Sequence, residues 1–267
     1  MTKKTVFAGV LAVVGLMFST GSVGAVGSGP PAPSVDELTN QFRAIVFGSE
    51  FKEFKPLNRI KKWGAPLRVT VKAYEEISEP GPNNSSTLKL KQKQVNPQHL
   101  KYIRKHLNTL VALTGLATED VKNSHEPANF EIKIVPRTQL TNPNLVDADP
   151  KLLRRLGGQG GCYFLMWHNE GSGLIDRVAI VVNADRIDAR TEHCLLEEMT
   201  QSLGLPNDIN SNWTSIFSNR GYISTLTRSD KILIKTLYDP RLKPAMKRDK
   251  AMKIARKIIG ELDRSMP

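Results

Sequence analysis

Cysteine is scarce in this chain: Cys162 and Cys194 are the only two among 267 residues. An isolated pair in an oxidising compartment is expected to form one disulfide, here tying a strand to the start of a helix. A catalytic thiol is disfavoured, because His193 directly precedes Cys194 and neighbours on a helix point about 100° apart. No cysteine stands near residue 25, which argues against a lipid anchor. The lysines and arginines carry no aromatic-interleaved basic motif, so nucleic acid is not an expected partner. The run Gly157-Gly158-Gln159-Gly160-Gly161 lacks both a GK[ST] ending and a following helix. It reads as a hinge or lip rather than a phosphate loop.

The first apolar stretch, Val6 to Phe18, follows Lys3 and Lys4 and is followed by small residues ending in Val23-Gly24-Ala25. That is the pattern of a secretory signal peptide cleaved near Ala25, and it is too short for a membrane span. A soluble protein, periplasmic or secreted, is expected, with no transmembrane helix after cleavage. The formal charge is +12, and losing the two leader lysines leaves +10. Such an excess favours anionic polymers of the cell envelope, or serves solubility alone. The densest cluster, Lys243, Lys247, Arg248, Lys250, Lys253, Arg256 and Lys257, leads into and lies along an amphipathic C-terminal helix.

The expected organisation is a signal peptide (1–25), a Gly/Pro/Ser linker (26–33), an N-terminal helical extension (34–65), a main domain (66–246) and a basic C-terminal helix (247–267). Ser34 with Glu37 forms a capping box for the first helix. Alternation predicts strands at 67–73 and 130–135, and two further runs, 162–168 and 178–183, separated by a Gly-containing turn at 170–173, read as two more. A helix opens at Asn96-Pro97 and ends near Gly115. Residues 79–93 read as a polar loop, and 139–159 as mostly loop with one helical turn near Leu152.

A further helix, from about Ala189 to Leu203, carries the informative stretch, Glu197 to Asp208. It has the layout H-E-x-x-H-x-x-G-x-x-H with all three imidazoles replaced. Glu197, Gln201 and Asn207 take the ligand places, Glu198 the general-base place and Gly204 the sharp turn. Leu196, Met199 and Leu203 form a stripe that can face the core, so the polar triplet is expected on the opposite face. Taken alone, the triplet is an ordinary solvated surface with a Gln201–Glu197 hydrogen bond.

The surrounding chain resembles more than the motif. Ser215-Ile216-Phe217-Ser218 resembles the turn that lies beneath the metal in metzincins, with Phe217 in the place of Met. Leu226 to Tyr238 resembles the helix that follows it. The stretches E-E-x-x-Q-x-L-G-L-x-N-D (Glu197 to Asp208) and L-Y-D-P-R-L-K-P (Leu237 to Pro244) are similar to those of an uncharacterised family of secreted bacterial proteins, DUF2927, over roughly Trp63 to Met246. The resemblance implies an α+β, zincin-like fold. Its sheet would be mixed and mostly parallel with about four strands, joined by an active-site-type helix and a C-terminal helical part. It implies no established activity.

Glu197, Gln201, Asn207 and Asp208 form an all-oxygen donor set, which suits Ca²⁺ or Mg²⁺ better than Zn²⁺. His193, one turn before Glu197, is a further ligand candidate, though a His at such a place is more often solvated. The expected function is a divergent hydrolase with Glu198 as general base and Glu197, Gln201, Asn207 and Asp208 as metal-holding or substrate-orienting groups. An acid/base pair made of Glu197 and Glu198 alone is disfavoured, since adjacent residues on one helix rarely straddle a substrate bond. Trp63, Trp167 and Trp213 are candidates for a saccharide wall or for core. The alternative function is a non-catalytic envelope-binding protein on a pseudo-peptidase scaffold, with polymers or peptides as partners.

Overall fold

The computed structural model describes residues 4–10, 32–48, 56–80, 86–122, 124–158, 161–211, 213–218 and 221–266, the first of these by backbone alone. The expected cleavage site at Ala25 and the linker up to residue 31 lie outside them.

Apolar residues alternating along extended segments build one mixed sheet. Strands β2 (Val69–Pro80), β4 (Phe130–Val135) and β6 (Ile175–Asn183) run parallel, while β5 (Cys162–Asn169) lies antiparallel to β6 and β3 (Ser86–Lys93) antiparallel to β2. The backbone of β1 (Lys4–Val10) pairs antiparallel with β5, giving the order β1-β5-β6-β4-β2-β3. The α+β class follows from the sequence; β1 lies inside the expected leader, and without it five strands replace the expected four, with two parallel and two antiparallel neighbouring pairs rather than a mostly parallel sheet. Part of the difference is the 79–93 stretch, read as loop and found as a hairpin. Its Pro80-Gly81-Pro82 run and its charge conceal the pattern, because an edge strand such as β3, with Lys89, Lys91 and Lys93, needs no continuous apolar face and is protected by lysine from pairing further.

The alternation sorts the core into two layers. Cys162, Phe164 and Met166 of β5, Val178, Ile180 and Val182 of β6, and Phe130, Ile132 and Ile134 of β4 share the larger cluster with the helices. Tyr163, Leu165 and Trp167, with Ala179 and Val181, face the other way and are covered by a 3₁₀ turn (Arg137–Gln139), its following loop and α3 (Pro150–Gly157), a full short helix where one turn was expected.

On the larger side sit α1 (Val35–Phe47), α2 (Pro97–Thr114), α4 (Ala189–Gln201), α5 (Arg228–Tyr238) and α6 (Arg248–Ser265). The capping box at Ser34 forms as expected: its hydroxyl accepts from Glu37 N–H while the Glu37 carboxylate accepts from Ser34 N–H. α1 packs on α6, and its Leu38, Phe42, Ile45 and Val46 enter the same core as the sheet. Among the described residues no helix is long and apolar enough to cross a membrane.

Gly204 ends the α4 region. Its φ is +101°, and a Cβ added there would stand 2.1 Å from the carbonyl oxygen of Lys61. Neither demand suits any other residue. Gly204→Ala is therefore expected to lower stability by about 3 kcal/mol or more, because the left-handed backbone and a backbone collision add. Urea unfolding checks this, and a loss below about 1 kcal/mol would mean that the segment before Trp63 relaxes freely.

Candidate functional site

Helix α4 follows β6 and lies against β5, β6 and α2. Its N-terminus is capped by Asp188, whose carboxylate accepts from the N–H groups of Arg190 and Thr191. A disulfide joins Cys194 on its second turn to Cys162 at the start of β5, with the Cα atoms 6.2 Å apart. The expected strand-to-helix tie is present, and it fixes the register of α4 against the sheet.

The expected display of the polar triplet away from the core is overturned. Glu197 is 1%, Glu198 0% and Gln201 2% exposed. Helical periodicity assigned Leu196, Met199 and Leu203 to the core correctly, but it cannot report that the opposite face is covered too. The segment around Ile223 covers that face at His193 and β5 covers it at Glu198, so α4 runs through the interior.

The sequence-predicted residues divide into three groups. Along one face, His193 Nε2 stands 3.4 Å from Glu197 Oε2, while His193 Nδ1 lies 3.1 Å from the Ile223 N–H nitrogen and 3.0 Å from the Ile223 carbonyl oxygen. Tyr222 meets the same ring edge to face at 5.5 Å. Burial pushes the His193 pKa below its usual value, which favours the neutral ring. One turn on, the Gln201 amide donates to Asp208 Oδ1. On the sheet side, Glu198 Oε1 lies 3.3 Å from Cys162 Sγ. Asn207 stands outside these three groups: its amide donates to the backbone carbonyls of Asp208 at 2.8 Å and Ala44 at 3.0 Å and so fastens the site's exit loop to the end of α1.

Two members of the four-oxygen set, Gln201 and Asn207, are thus held by hydrogen bonds to other parts of the chain. Gln201 and Asn207 turn their amide nitrogens, which are donors and not ligands, to protein acceptors. Among the described His, Cys, Asp and Glu residues, Cys162, Cys194 and Glu198 bring one potential ligand atom each within 4.8 Å of one another.

Phe217 is fully buried in the core cluster that holds Leu196, Met199 and Leu203, in a tight turn closed by Ser218 N–H to Ser215 O at 3.1 Å. The turn is anchored by Asp230, a fully buried residue that sequence reasoning noticed only as an acidic helix start. Its carboxyl accepts from Ser215 Oγ at 2.6 Å, Ile216 N–H at 3.2 Å and Thr227 N–H at 2.8 Å. The signal was the Thr227-x-x-Asp230 capping pattern, which gives the local role but not the distant one.

Trp63 and Trp167 do not share a wall. Trp63 is core and donates its indole N–H to Ser202 O, whereas Trp167 lies on the opposite sheet face beneath the Arg177 guanidinium, 4.0 Å from its ring. Among the described residues, a cleft at the amino ends of the parallel strands is lined by Arg68, Trp167, Asp176 and Arg177. Another lies where α2 begins, at Asn96 and His99. A shallow groove of about 760 Å³ runs between Val35 and Lys253, Arg256, Lys257 and Arg264 of α6. None of these three is lined by Glu197, Glu198 or Gln201.

Comparison with curated proteins and with solved structures gave no match. The family model described as "Protein of unknown function (DUF2927)" matches residues 35–257, from the first residue of α1 into α6 and across the whole of α4, so the chain belongs to the DUF2927 family.

Proposed function

We propose that this protein is a zincin-like scaffold that has lost hydrolysis and binds anionic polymer of the cell envelope through the cationic face of α6. The observation that carries the reading is a reversal of exposure. The acids of α4 are enclosed, while Lys253, Arg256, Lys257 and Arg264 stand exposed along a groove. The apolar side of α6, with Ala251, Ala255, Ile258 and Ile259, is buried, so attraction here is electrostatic and not by insertion into lipid. Parallel strands β2, β4 and β6 beside an antiparallel β5, followed by α4 and the Phe217 turn, support the zincin-like part of the reading.

Pull-down on purified cell-wall polymer tests it. Binding is expected to fall steeply with salt, and Lys253→Glu with Lys257→Glu is expected to weaken it by about tenfold or more at low ionic strength. Glu198→Gln should bind as the wild type does. Salt-insensitive binding, or binding unchanged by the charge reversal, would overturn the reading.

A divergent hydrolase is the second reading, favoured by one observation: the His193–Glu197 pair on α4 is followed one turn on by the pair that Gln201 makes with Asp208 of the loop after the helix. Turnover of peptide or peptidoglycan that is lost in Glu198→Gln would establish it, and equal turnover in the two proteins would remove it.

A further inference from the structure

The Cys162–Cys194 pair, with Glu198 beside it, has a thiol chemistry that neither function uses. All three are buried, and one ligand atom from each lies within 4.8 Å of the other two. The Glu198 carboxyl stands directly against the sulfur of Cys162, at 3.3 Å. The two Cα atoms, 6.2 Å apart, already suit two sulfurs that share a partner. Around a tetrahedral ion with metal–sulfur bonds of about 2.3 Å and metal–oxygen bonds of about 2.0–2.2 Å, ligand atoms sit roughly 3.5–3.8 Å apart. With the Cα atoms 6.2 Å apart on β5 and α4, rotation of these side chains is the movement such spacing would require.

We infer that this pair is a redox-gated metal site: the disulfide closes it, and reduction opens a dithiolate–carboxylate centre for a thiophilic divalent ion such as Zn²⁺. An external dithiol supplies two electrons and two protons, the Cys162–Cys194 bond becomes two thiols, and the dithiol leaves as its own disulfide. The divalent ion then binds both sulfurs and the Glu198 carboxylate, and the two thiol protons pass to solvent. Two thiolates select Zn²⁺ over the harder Ca²⁺ and Mg²⁺, which prefer oxygen alone. Three protein ligands leave a fourth position for water. The ion would take over the mechanical role of the disulfide by bridging β5 to α4, so a reduced chain keeps the link that the oxidised chain has covalently.

Anaerobic titration of the full chain with Co²⁺, followed by Zn²⁺ displacement, tests this. Reduced protein is expected to take up one equivalent of Co²⁺ with near-ultraviolet thiolate-to-metal absorption, and Ca²⁺ in excess should not displace it. Disulfide-bonded protein should show no such absorption. Glu198→Gln, which keeps both cysteines, is expected to weaken binding by about tenfold or more. Near-ultraviolet circular dichroism runs alongside, and Zn²⁺ should restore any signal lost on reduction. Equal uptake by reduced and oxidised protein, an unaltered affinity in Glu198→Gln, or a reduced chain that unfolds and stays unfolded with Zn²⁺ would each overturn the inference.

Discussion

Replacing Asp230 with alanine is expected to cost about 3–5 kcal/mol and to lower Tm by roughly 10 °C, the largest loss from any single side chain on this site's periphery. The expectation follows from what the carboxyl holds. It is fully buried, and donors from Ser215, Ile216 and Thr227 converge on it from two separate parts of the chain. Removing it leaves those donors buried without their acceptor, which costs more than the hydrogen bonds contribute net. Burial raises the Asp230 pKa, with the hydrogen bonds from Ser215, Thr227 and Ile216 opposing it. Asp230→Asn keeps an acceptor and the volume, so it should fall between wild type and Asp230→Ala. Hydrogen exchange at Ile216 N–H should accelerate in both variants, because that amide loses its anchor while the Phe217 turn loosens. A loss below about 1 kcal/mol in Asp230→Ala, measured by urea unfolding, would show that the turn is held by packing alone.

Acidification is expected to have a comparable effect through two buried histidines. Burial first, and Lys105 second, push the pKa of His106 down to about 4. Burial first, and Lys61 second, push His168 down to about 4. An unfolded histidine titrates at about 6.5, so between pH 6.5 and 4 the unfolded chain binds more protons than the folded one. Stability is therefore complete above pH 6.5 and is lost as pH falls towards 4. Each group can contribute about 3 kcal/mol over that window, and the two together about 5 kcal/mol after partial relaxation. His99 and His193 are shifted in the same direction, chiefly by burial. Asp230, raised by burial, has the opposite slope, so the difference between variants is the informative quantity. His106→Gln and His168→Gln should each flatten the fall in urea-unfolding free energy between pH 7 and 4.5 by about 2–3 kcal/mol. Parallel curves for wild type and both variants would mean that these rings are hydrated and titrate normally.

Much of the fold was legible in particular segments. In β5 the sequence Cys162-Tyr163-Phe164-Leu165-Met166-Trp167 is apolar throughout and declares a strand covered on both faces, and the structure divides it residue by residue between two core layers. Asn96-Pro97 and Gly115 bounded α2, with the glycine at φ +69° as its stop. The hairpin β2–β3 was illegible for the opposite reason: its lysine-rich edge satisfies backbone pairing without apolar alternation. Before Trp63 the chain is basic and without apolar periodicity. In fact Lys61 is 1% exposed and paired with Glu170, and Lys62 donates to the carbonyls of Leu237 and Leu242, separated from it by 175 and 180 residues. No local pattern encodes partners at that distance.

The twelve residues from Glu197 to Asp208 show where the division lies. By itself the sequence determined that they form a helix closed by a glycine turn, that Glu197 and Gln201 share a face, and that a cysteine pair could tie this helix to a strand. These are consequences of helical period, of glycine's freedom at positive φ and of thiol chemistry, all of them local. Only the tertiary structure decided that Glu197, Glu198 and Gln201 are enclosed, that Asn207 serves α1 and that Glu198 faces sulfur. Exposure and partnership are set by how many surfaces a helix meets, and that number depends on segments far along the chain.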